Sequence, residues 1–192
     1  SSKYKIKFVI YNNLMSKKIG LFWLREDFRL SKNNGLIEAT LNHDEVVVFY
    51  LYKKLTYKNQ EAQKWWLSKS LSNFKKNLSK LNIILETIET NSYKVFFEKL
   101  IKKNDYIIYW NKVYEPDYLK FDEHIQKSLK SQNIQYKICK GNILNDITEI
   151  KKSDGTPFKV FTPFWRTAEK YFIEKIPPKE KKIKKCLRKK NY

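Results

Sequence analysis

Residues 19–30 read Ile-Gly-Leu-Phe-Trp-Leu-Arg-Glu-Asp-Phe-Arg-Leu. The first six form a continuous apolar run, which is typical of a strand buried on both faces of a parallel sheet. Arg25, Glu26, Asp27 and Arg29 follow at once, beyond the carboxyl end of that strand, where open α/β sheets bind their ligands. Two interpretations fit these charges: they contact a ligand, or arginine and aspartate pair internally and hold the loop in place.

The rest of the chain alternates helical and strand patterns. Apolar runs predict further strands at 45–51, 83–88, 105–110 and 134–139, and 3.6-residue periodicity predicts helices at 35–41, 60–81, 93–102 and 117–131. Asn33 precedes the first helix as a natural start signal. The sequence therefore predicts an α/β fold: a doubly wound, Rossmann-like five-stranded parallel sheet with helices on both faces.

Two aromatic-rich segments are interpreted as core. The longest predicted helix carries an apolar stripe formed by Trp65, Leu67, Leu71, Phe74, Leu78 and Leu81. Residues 158–166, after a tight turn predicted at Asp154-Gly155, have the composition of an aromatic core hairpin when taken alone.

A second polar group follows the fourth strand. Asn111, Tyr114, Glu115 and Asp117 come directly after it, and Pro116 is suited to the first turn of the next helix. Because the first and fourth strands should meet at the switch point of the sheet, we expect Glu115 and Asp117 to lie level with the charges that follow the first strand.

The formal net charge is +20, from 40 basic and 20 acidic residues. Such a charge suits a polyanionic partner. Only four of the basic residues are arginines, and Ile, Asn and Tyr are also abundant. General lysine enrichment is therefore favoured over a dedicated basic patch.

The sequence does not predict a metal site or a membrane-spanning segment. Cys139 and Cys186 are far apart, and His43 and His124 are isolated, so neither a disulfide framework nor a metal site follows. Both histidines are interpreted as surface or helix-face residues. No apolar run approaches the roughly 20 residues that span a bilayer, and the sequence predicts a soluble, cytoplasmic protein, expected to be monomeric.

Three regions are expected along the chain. Residues 1–14 lack the features of a secretory signal and are interpreted as an extension before a natural start at Met15, the alternative being a real arm. Residues 15–172 form the α/β domain. Residues 173–192, with Pro177-Pro178 and many lysines, are interpreted as an extended basic linker without a packed end. That interpretation favours a truncated protein over a naturally short one.

Four blocks in order resemble the DNA photolyase/cryptochrome family. Residues 23–30 resemble its Trp-Phe-Arg-Arg-Asp-Leu-Arg-Leu signature, with Glu26 in place of an arginine, and residues 66–74 resemble its Phe-Leu-x-x-Ser-Leu-x-x-Leu helix. Asn111, Tyr114, Glu115, Pro116 and Asp122 match Asn-x-x-Tyr-Glu-Pro and the helical aspartate after it. From Gly155 onward the chain is similar to Gly-x-Pro-Tyr-x-Val-Phe-Thr-Pro-Phe. The resemblance covers about residues 18–172.

The resemblance implies the amino-terminal, antenna-binding domain of a light-driven enzyme that splits cyclobutane pyrimidine dimers in ultraviolet-damaged DNA, a carbon–carbon lyase reaction. FAD and the lesion would bind a helical domain that lies beyond this chain, so no catalytic residue is expected here.

The chromophore implied for this domain is a folate, a deazaflavin or a flavin. Folate-binding members carry Asn-Glu where this chain has Asp117-Tyr118, so the chromophore's identity, or an empty site, stays open. The candidate antenna residues are Trp23, Arg25, Glu26, Asp27, Asn111, Tyr114, Glu115 and Asp117.

Three other functions remain as alternatives. A cryptochrome-type blue-light receptor would share this domain. A nucleotide-binding α/β module fits the strand and helix order, although no Gly-x-Gly-x-x-Gly or Gly-Lys-Ser/Thr loop is present. A non-enzymatic basic DNA-binding module fits the charge, and its affinity would fall steeply with salt.

Overall fold

The computed structural model describes residues 19–53, 60–98, 106–141, 143, 149–173 and 181–187. The strands of this part of the chain form one parallel sheet in the order β3-β2-β1-β4-β5. Their bounds are β1 Ile19–Leu24, β2 Val46–Tyr52, β3 Ile84–Glu89, β4 Tyr106–Asn111 and β5 Tyr136–Cys139. The helices are α1 Asn34–Asn42, α2 Glu61–Ser79, α3 Tyr93–Glu98, α4 Pro116–Ser131 and α5 Phe161–Ile173. The predicted fold class and strand order along the chain are confirmed, and the end of the predicted helix 93–102 lies outside the described residues.

Strand β1 is the centre of the sheet. It pairs with β2 on one side, Phe22 opposite Val48, and with β4 on the other, Phe22 opposite Tyr109. The chain therefore winds outward from β1 through β2 to β3 and then restarts at β4, which creates a switch point between the carboxyl ends of β1 and β4.

Alternate residues of β1 face opposite layers. Leu21 and Trp23 pack with α3 and α4 in one cluster, and Phe22 and Leu24 pack with α1 and α2 in the other. All four side chains are at most 5% exposed. Burial on both faces explains why β1 has no polar residue at alternate positions.

Local start signals fix two helices beside the switch point. The Asn33 side chain accepts a hydrogen bond from the Leu36 backbone N–H at 3.2 Å, as an N-cap residue does. Helix α4 begins at Pro116, where a missing N–H removes no helical hydrogen bond. The tight turn at Asp154-Gly155 is also confirmed, with Gly155 at a φ of +79°.

Both predicted aromatic core segments need correction. In α2, Phe74 and Leu78 are buried as expected, but Trp65 is 59% exposed, because the first turns of the helix, residues 61–66, bury no side chain. The hairpin expected at 158–166 is wrong, since helix α5 begins at Phe161. Pro163 falls in its first turn, where no intrahelical N–H bond is required, and Phe161 stacks on Trp165 on an exposed face.

His43 is also not a surface residue. It is 7% exposed, and its Nε2 atom shares a hydrogen bond of 2.9 Å with the Tyr109 hydroxyl. The other histidine, His124, is exposed on α4 as expected.

Residues 181–187 are packed against the sheet domain rather than forming a free linker. Cys186 is 5% exposed in the core cluster beneath α1 and α2, and its N–H donates to the Leu81 carbonyl at 3.0 Å. The Leu187 N–H donates to the Asp44 carbonyl at 2.9 Å. The expectation of an unpacked segment is therefore wrong for these residues. The reason is that Cys186, an uncharged residue within the lysine-rich sequence, packs into the core.

Among the described residues, no helix is both long and apolar enough to cross a membrane.

Candidate functional site

A cavity of about 580 Å³ opens at the carboxyl ends of β1 and β4. Three loops form its walls: the one after β1, the one after β4 and the one after β5. Its volume falls within the roughly 300–1,000 Å³ that is usual for small-molecule sites. The described lining residues are Phe22, Trp23, Arg25, Glu26, Asp27, Arg29, Asn111, Lys112, Val113, Tyr114, Glu115, Pro116, Gly141 and Ile143.

A buried ion pair lies beside this cavity, and its Arg25 side chain is part of the lining. The Arg25 Nη1 atom lies 2.8 Å from Asp122 Oδ1, and the two side chains are only 6% and 5% exposed. Arg25 Nη2 also donates to the Asn111 carbonyl oxygen and to Asp122 Oδ2. Of the two interpretations of Arg25 open at sequence level, internal pairing is therefore what the structure shows.

The surroundings of this ion pair shift the pKa of both groups. Burial lowers the pKa of the Arg25 guanidinium and raises the pKa of the Asp122 carboxyl, and the attraction between the two opposes both shifts. The Trp110 indole N–H donates to Asp122 Oδ2 at 3.1 Å, which satisfies a further acceptor. The guanidinium also lies 4.9 Å from the centre of the Trp23 ring and 5.7 Å from that of Tyr118.

Two buried amides join the loop after β1 to the end of β4. Asn111 Nδ2 donates to Asn33 Oδ1 at 2.8 Å, and Asn111 Oδ1 accepts from the Gly35 backbone N–H at 2.7 Å. Asn33 is fully buried and Asn111 is 7% exposed. Two backbone donors at the start of α1, the N–H groups of Gly35 and Leu36, are thus satisfied by side chains of the protein itself.

The remaining acidic residues after β1 also have partners. Asp27 Oδ1 accepts from Arg29 Nε at 2.8 Å, and Glu26 Oε1 accepts from the Tyr118 hydroxyl at 2.7 Å. Burial and the Glu26 carboxylate raise the pKa of Tyr118 well above its ordinary value, so this phenol remains a hydrogen-bond donor. The Glu26–Tyr118 bond closes the gap between the loop after β1 and helix α4.

Trp23 is mainly a core residue. It is 3% exposed and packs edge-on against Phe97, with ring centres 4.8 Å apart, and against Trp110 at 6.2 Å. Trp23 also belongs to the cavity lining. Tyr114 is half-buried, and Lys112 lies over its ring at 5.0 Å.

The structure brings seven of the eight candidate residues to one cavity: Trp23, Arg25, Glu26, Asp27, Asn111, Tyr114 and Glu115. Asp117 lies in the first turn of α4, is exposed and is not part of the described lining. Whether these residues bind a chromophore remains a prediction.

Sequence reasoning missed several contributors to the site. Asn33 was identified only as a helix start, and Asp122 only as a family match. Gly141 lies at the carboxyl end of β5, so the same strand-end rule that pointed to Arg25 could have found it. A Cβ atom built on Gly141 would lie 2.0 Å from the Lys112 carbonyl oxygen, which shows how closely the two loops approach.

These features favour positioning over acid–base chemistry. Trp23, Phe22, Val113 and Ile143 supply apolar contact area, and carboxylates and an ammonium group stand at the edges. The described residues contain no cluster of three or more metal-ligating side chains. The cavity is suited to hold a small organic molecule through apolar contacts and hydrogen bonds.

Comparison with known protein families gives a match over most of the chain. A family model described as DNA photolyase matches residues 20–182. The deoxyribodipyrimidine photo-lyase of Agrobacterium fabrum is 26% identical over 149 residues, covering 78% of this chain and 31% of the relative. That of Alkalihalophilus pseudofirmus is 30% identical over 162 residues, covering 79% of this chain and 33% of the relative. The chain thus spans about a third of the length of these relatives.

Solved structures show the same fold. A class III photolyase from Agrobacterium tumefaciens superposes with a TM-score of 0.70 at 24% identity, covering 95% of this chain and 37% of that protein. An archaeal photolyase from Sulfolobus tokodaii, described as holding two FAD molecules with the implication of a novel light-harvesting cofactor, gives 0.65 at 20% identity and covers 88% and 37%. A cryptochrome of Synechocystis gives 0.67 at 19% identity and covers 90% and 38%.

Proposed function

Because the chain belongs to the DNA photolyase family, we propose that it is the light-harvesting antenna domain of a deoxyribodipyrimidine photo-lyase. The observation that carries the proposal is the cavity at the switch point between β1 and β4, which gathers seven of the eight residues that sequence analysis singled out. Ligands of doubly wound sheets bind at such points.

In this function the bound chromophore absorbs light and passes excitation energy to FAD elsewhere in the enzyme. The chain's own task is to hold that chromophore in one orientation and away from water. Phe22, Val113 and Ile143 offer contact area, and Glu26 and Glu115 offer acceptors for ring N–H groups. The Arg25–Asp122 pair keeps the two cavity walls together.

We favour a flavin-type chromophore over folate. The position at which folate-binding relatives carry a glutamate is Tyr118 here, and its hydroxyl is held by Glu26. Asp117, beside it, is exposed outside the described lining. The Sulfolobus relative, described with a second FAD and a novel light-harvesting cofactor, supports a flavin in this family.

The whole enzyme would split cyclobutane pyrimidine dimers in ultraviolet-damaged DNA by breaking carbon–carbon bonds, using FAD in a helical domain, as a monomer in the cytoplasm. A dimer reaches a cofactor only after it is flipped out of the base stack. Since this chain spans about a third of its relatives' length, we propose that the chain alone binds the antenna but does not repair DNA.

Absorption and fluorescence spectra of the purified chain test the antenna function. The chain is incubated separately with folate, 5-deazariboflavin and riboflavin, and unbound ligand is removed by gel filtration. We expect one ligand to remain bound with a shifted near-ultraviolet or blue band. Loss of every ligand on the column would refute the antenna function.

A second assay tests the statement on repair. The chain, with FAD and a reductant, is illuminated with blue light in the presence of an oligonucleotide that contains one dimer. Restoration of the undamaged oligonucleotide would show that the isolated domain is active and would contradict the proposal.

A further inference from the structure

Helix α2 differs in charge from α4, the helix nearest to it in length. Residues Glu61–Ser79 contain four lysines and one acidic residue, and Lys80, which ends the helix, adds another lysine. Helix α4 carries three lysines and three acidic residues. General lysine enrichment would raise the charge of both helices alike, so it does not by itself explain the basic character of α2.

The outer face of α2 combines lysines with tryptophans. Phe74 and Leu78 bury the inner face of the helix. At about 3.6 residues per turn, five exposed residues lie on the opposite side: Trp65, Trp66, Lys69, Lys76 and Lys80. Glu61, the acidic residue of the helix, lies in the first turn, 3.8 Å from Lys64. The outer face beyond that turn is therefore purely basic and aromatic or neutral.

Trp65 and Trp66 are unusually open for tryptophan side chains, which are mostly buried on average. They are 59% and 68% exposed, and their ring centres are 6.2 Å apart with an angle of 37° between the rings. The Lys69 Nζ atom lies 5.7 Å from the centre of the Trp65 ring. A cation therefore stands beside two accessible aromatic rings, which is an arrangement suited to binding a flat, negatively charged partner.

From this combination we propose that the outer face of α2 binds undamaged single-stranded nucleic acid. Unpaired bases stack on the two indole rings, and phosphates of the same strand contact the lysines farther along the helix. Every base has an aromatic face, so this mode of binding needs no particular sequence. Charge selects this occupant over a second copy of the chain, because two molecules with a net charge of +20 repel each other.

The aromatic pair should distinguish a single strand from a duplex. The bases of a duplex are stacked on one another and cannot lie on an indole ring, whereas the lysines attract the phosphates of both forms. None of the five outer-face residues belongs to the described lining of the cavity at β1 and β4. The proposal therefore goes beyond the antenna function and does not depend on it.

Fluorescence anisotropy on the 192-residue chain tests the proposal. One probe is a fluorescein-labelled oligothymidylate of about 12 nucleotides, within the usual range of single-strand site sizes, and the other is its duplex with oligoadenylate. Neither probe is irradiated. At low salt we expect the single strand to bind at least about tenfold more tightly than the duplex, because only the single strand can stack on the tryptophans.

Replacing both tryptophans tests the stacking. Trp65→Ala with Trp66→Ala should weaken single-strand binding at least about tenfold and leave duplex binding nearly unchanged. Trp65→Phe with Trp66→Phe should retain most of the affinity, since a phenyl ring also stacks on bases. The matched control, Phe161→Ala with Trp165→Ala, removes a second exposed aromatic pair, on α5, and should leave binding unchanged. Circular dichroism checks that each variant is folded.

Replacing lysines assigns the electrostatic attraction to α2. Each phosphate contact with a single strand contributes about 0.7 to the slope of log K against log salt concentration. Lys69→Gln with Lys76→Gln should therefore reduce the steepness of that slope by about 1.4. Lys127→Gln with Lys130→Gln removes the same charge from exposed positions of α4 and should leave the slope unchanged.

Several outcomes would overturn the proposal: no binding at low salt, equal affinity for single strand and duplex, or equal effects of the α2 variants and their controls. Sedimentation velocity is measured in parallel. A dimer that dissociates when both α2 tryptophans are replaced by alanine would show that a second copy covers this face, and would also overturn it. Failure of the chain to bind a chromophore would refute the antenna function alone.

Discussion

Arg25 and Asp122 are 97 positions apart in the chain, yet Arg25 Nη1 lies 2.8 Å from Asp122 Oδ1 in a nearly water-free environment. The pair ties the loop after β1 to the middle of α4, across the switch point of the sheet. Together with the bond from Arg25 to the Asn111 carbonyl, it fixes the distance between the two main walls of the cavity.

Removing one partner of this ion pair should destabilise the folded protein. We expect Asp122→Asn to lower the free energy of unfolding by about 3 kcal/mol, because Arg25 keeps its charge without a counter-ion in a buried site. Urea denaturation measures the change, and Glu123→Gln, an exposed neighbour on α4, should alter it by less than about 0.5 kcal/mol. Replacing both partners, as Arg25→Met with Asp122→Leu, should recover much of the loss. Equal losses in the single and double variants would contradict this explanation.

Gly141 should matter for ligand binding. A methyl group at this position would lie 2.0 Å from the Lys112 carbonyl, so Gly141→Ala must push apart the loops after β4 and β5. We expect at least about a tenfold loss in riboflavin affinity, since a displacement of that size disrupts the contacts of a whole wall.

Gly155→Ala is the matched control for that variant. Gly155 lies in an exposed turn with a φ of +79°, and its added Cβ would meet no atom within 4 Å. The substitution should cost about 1 kcal/mol of stability through backbone strain and leave ligand affinity unchanged. Similar affinity losses in the two variants would show that the close approach at Gly141 is not the cause.

The ion pair between Glu38 and Lys137 should give a small acid dependence of stability. Lys137 Nζ lies 2.6 Å from Glu38 Oε2, and this hydrogen bond lowers the pKa of Glu38 below its usual value of 4.5. Its stabilising contribution is therefore complete above that value and is lost as the pH falls through the lower pKa of the folded state. Because the pair is partly exposed, the contribution should be below about 1 kcal/mol.

Thermal unfolding of the wild type and of Glu38→Gln at several pH values tests this expectation. The difference in Tm between them should be largest near neutral pH and should shrink as the pH falls through the lowered pKa of Glu38 in the folded protein. Glu61→Gln, which removes a loose exposed pair 3.8 Å from Lys64, should show a much smaller difference. A difference in Tm that grows as the pH falls would contradict this expectation.

The two cysteines should resist alkylation in the folded protein. Both are buried and free, burial raises the pKa of the Cys139 thiol to about 11, and it also raises the pKa of Cys186. Few thiolates are then present at pH 7.5 to attack a reagent. Mass spectrometry after timed iodoacetamide treatment should find both residues unmodified until denaturant is added.

Cys186 also reports whether residues 181–187 stay packed. The Lys184 N–H donates to the Thr40 hydroxyl at 3.2 Å, so Thr40→Val removes an acceptor for this segment at nearly constant volume. We expect alkylation of Cys186 to become several-fold faster, with Cys139 in the same sample as the internal control. Equal acceleration at both cysteines would indicate general destabilisation instead.

Much of the fold could be predicted because it depends on local patterns. The uniform apolar run of β1 and the β-branched run of β2 predict buried parallel strands, and Asn33 and Pro116 mark helix starts. The position of the cavity also followed, since parallel strands bring their carboxyl ends to one edge. These inferences need only the spacing of residue types along a short stretch of chain.

Other features could not be predicted in this way. Sequence spacing does not reveal that Asp122 is the partner of Arg25, or that the Asn111 amide occupies the start of α1. His43 was misjudged because its burial depends on Tyr109, 66 positions away. Trp65 was misjudged because the periodicity of a helix does not tell which of its turns pack against other elements.

Residue patterns along the chain are enough to predict the parallel α/β sheet, the family and the edge of the sheet at which the cavity lies, because strand and helix patterns and four motif blocks are encoded locally. The charge and hydrogen-bonding state of this cavity is visible only in the folded protein. Arg25 is committed to Asp122, Asn33 and Asn111 close the start of α1, and Glu26 and Glu115 remain at the rim. The reason is physical: charge pairing and hydrogen-bond satisfaction depend on distances of about 3 Å between residues that folding alone brings together.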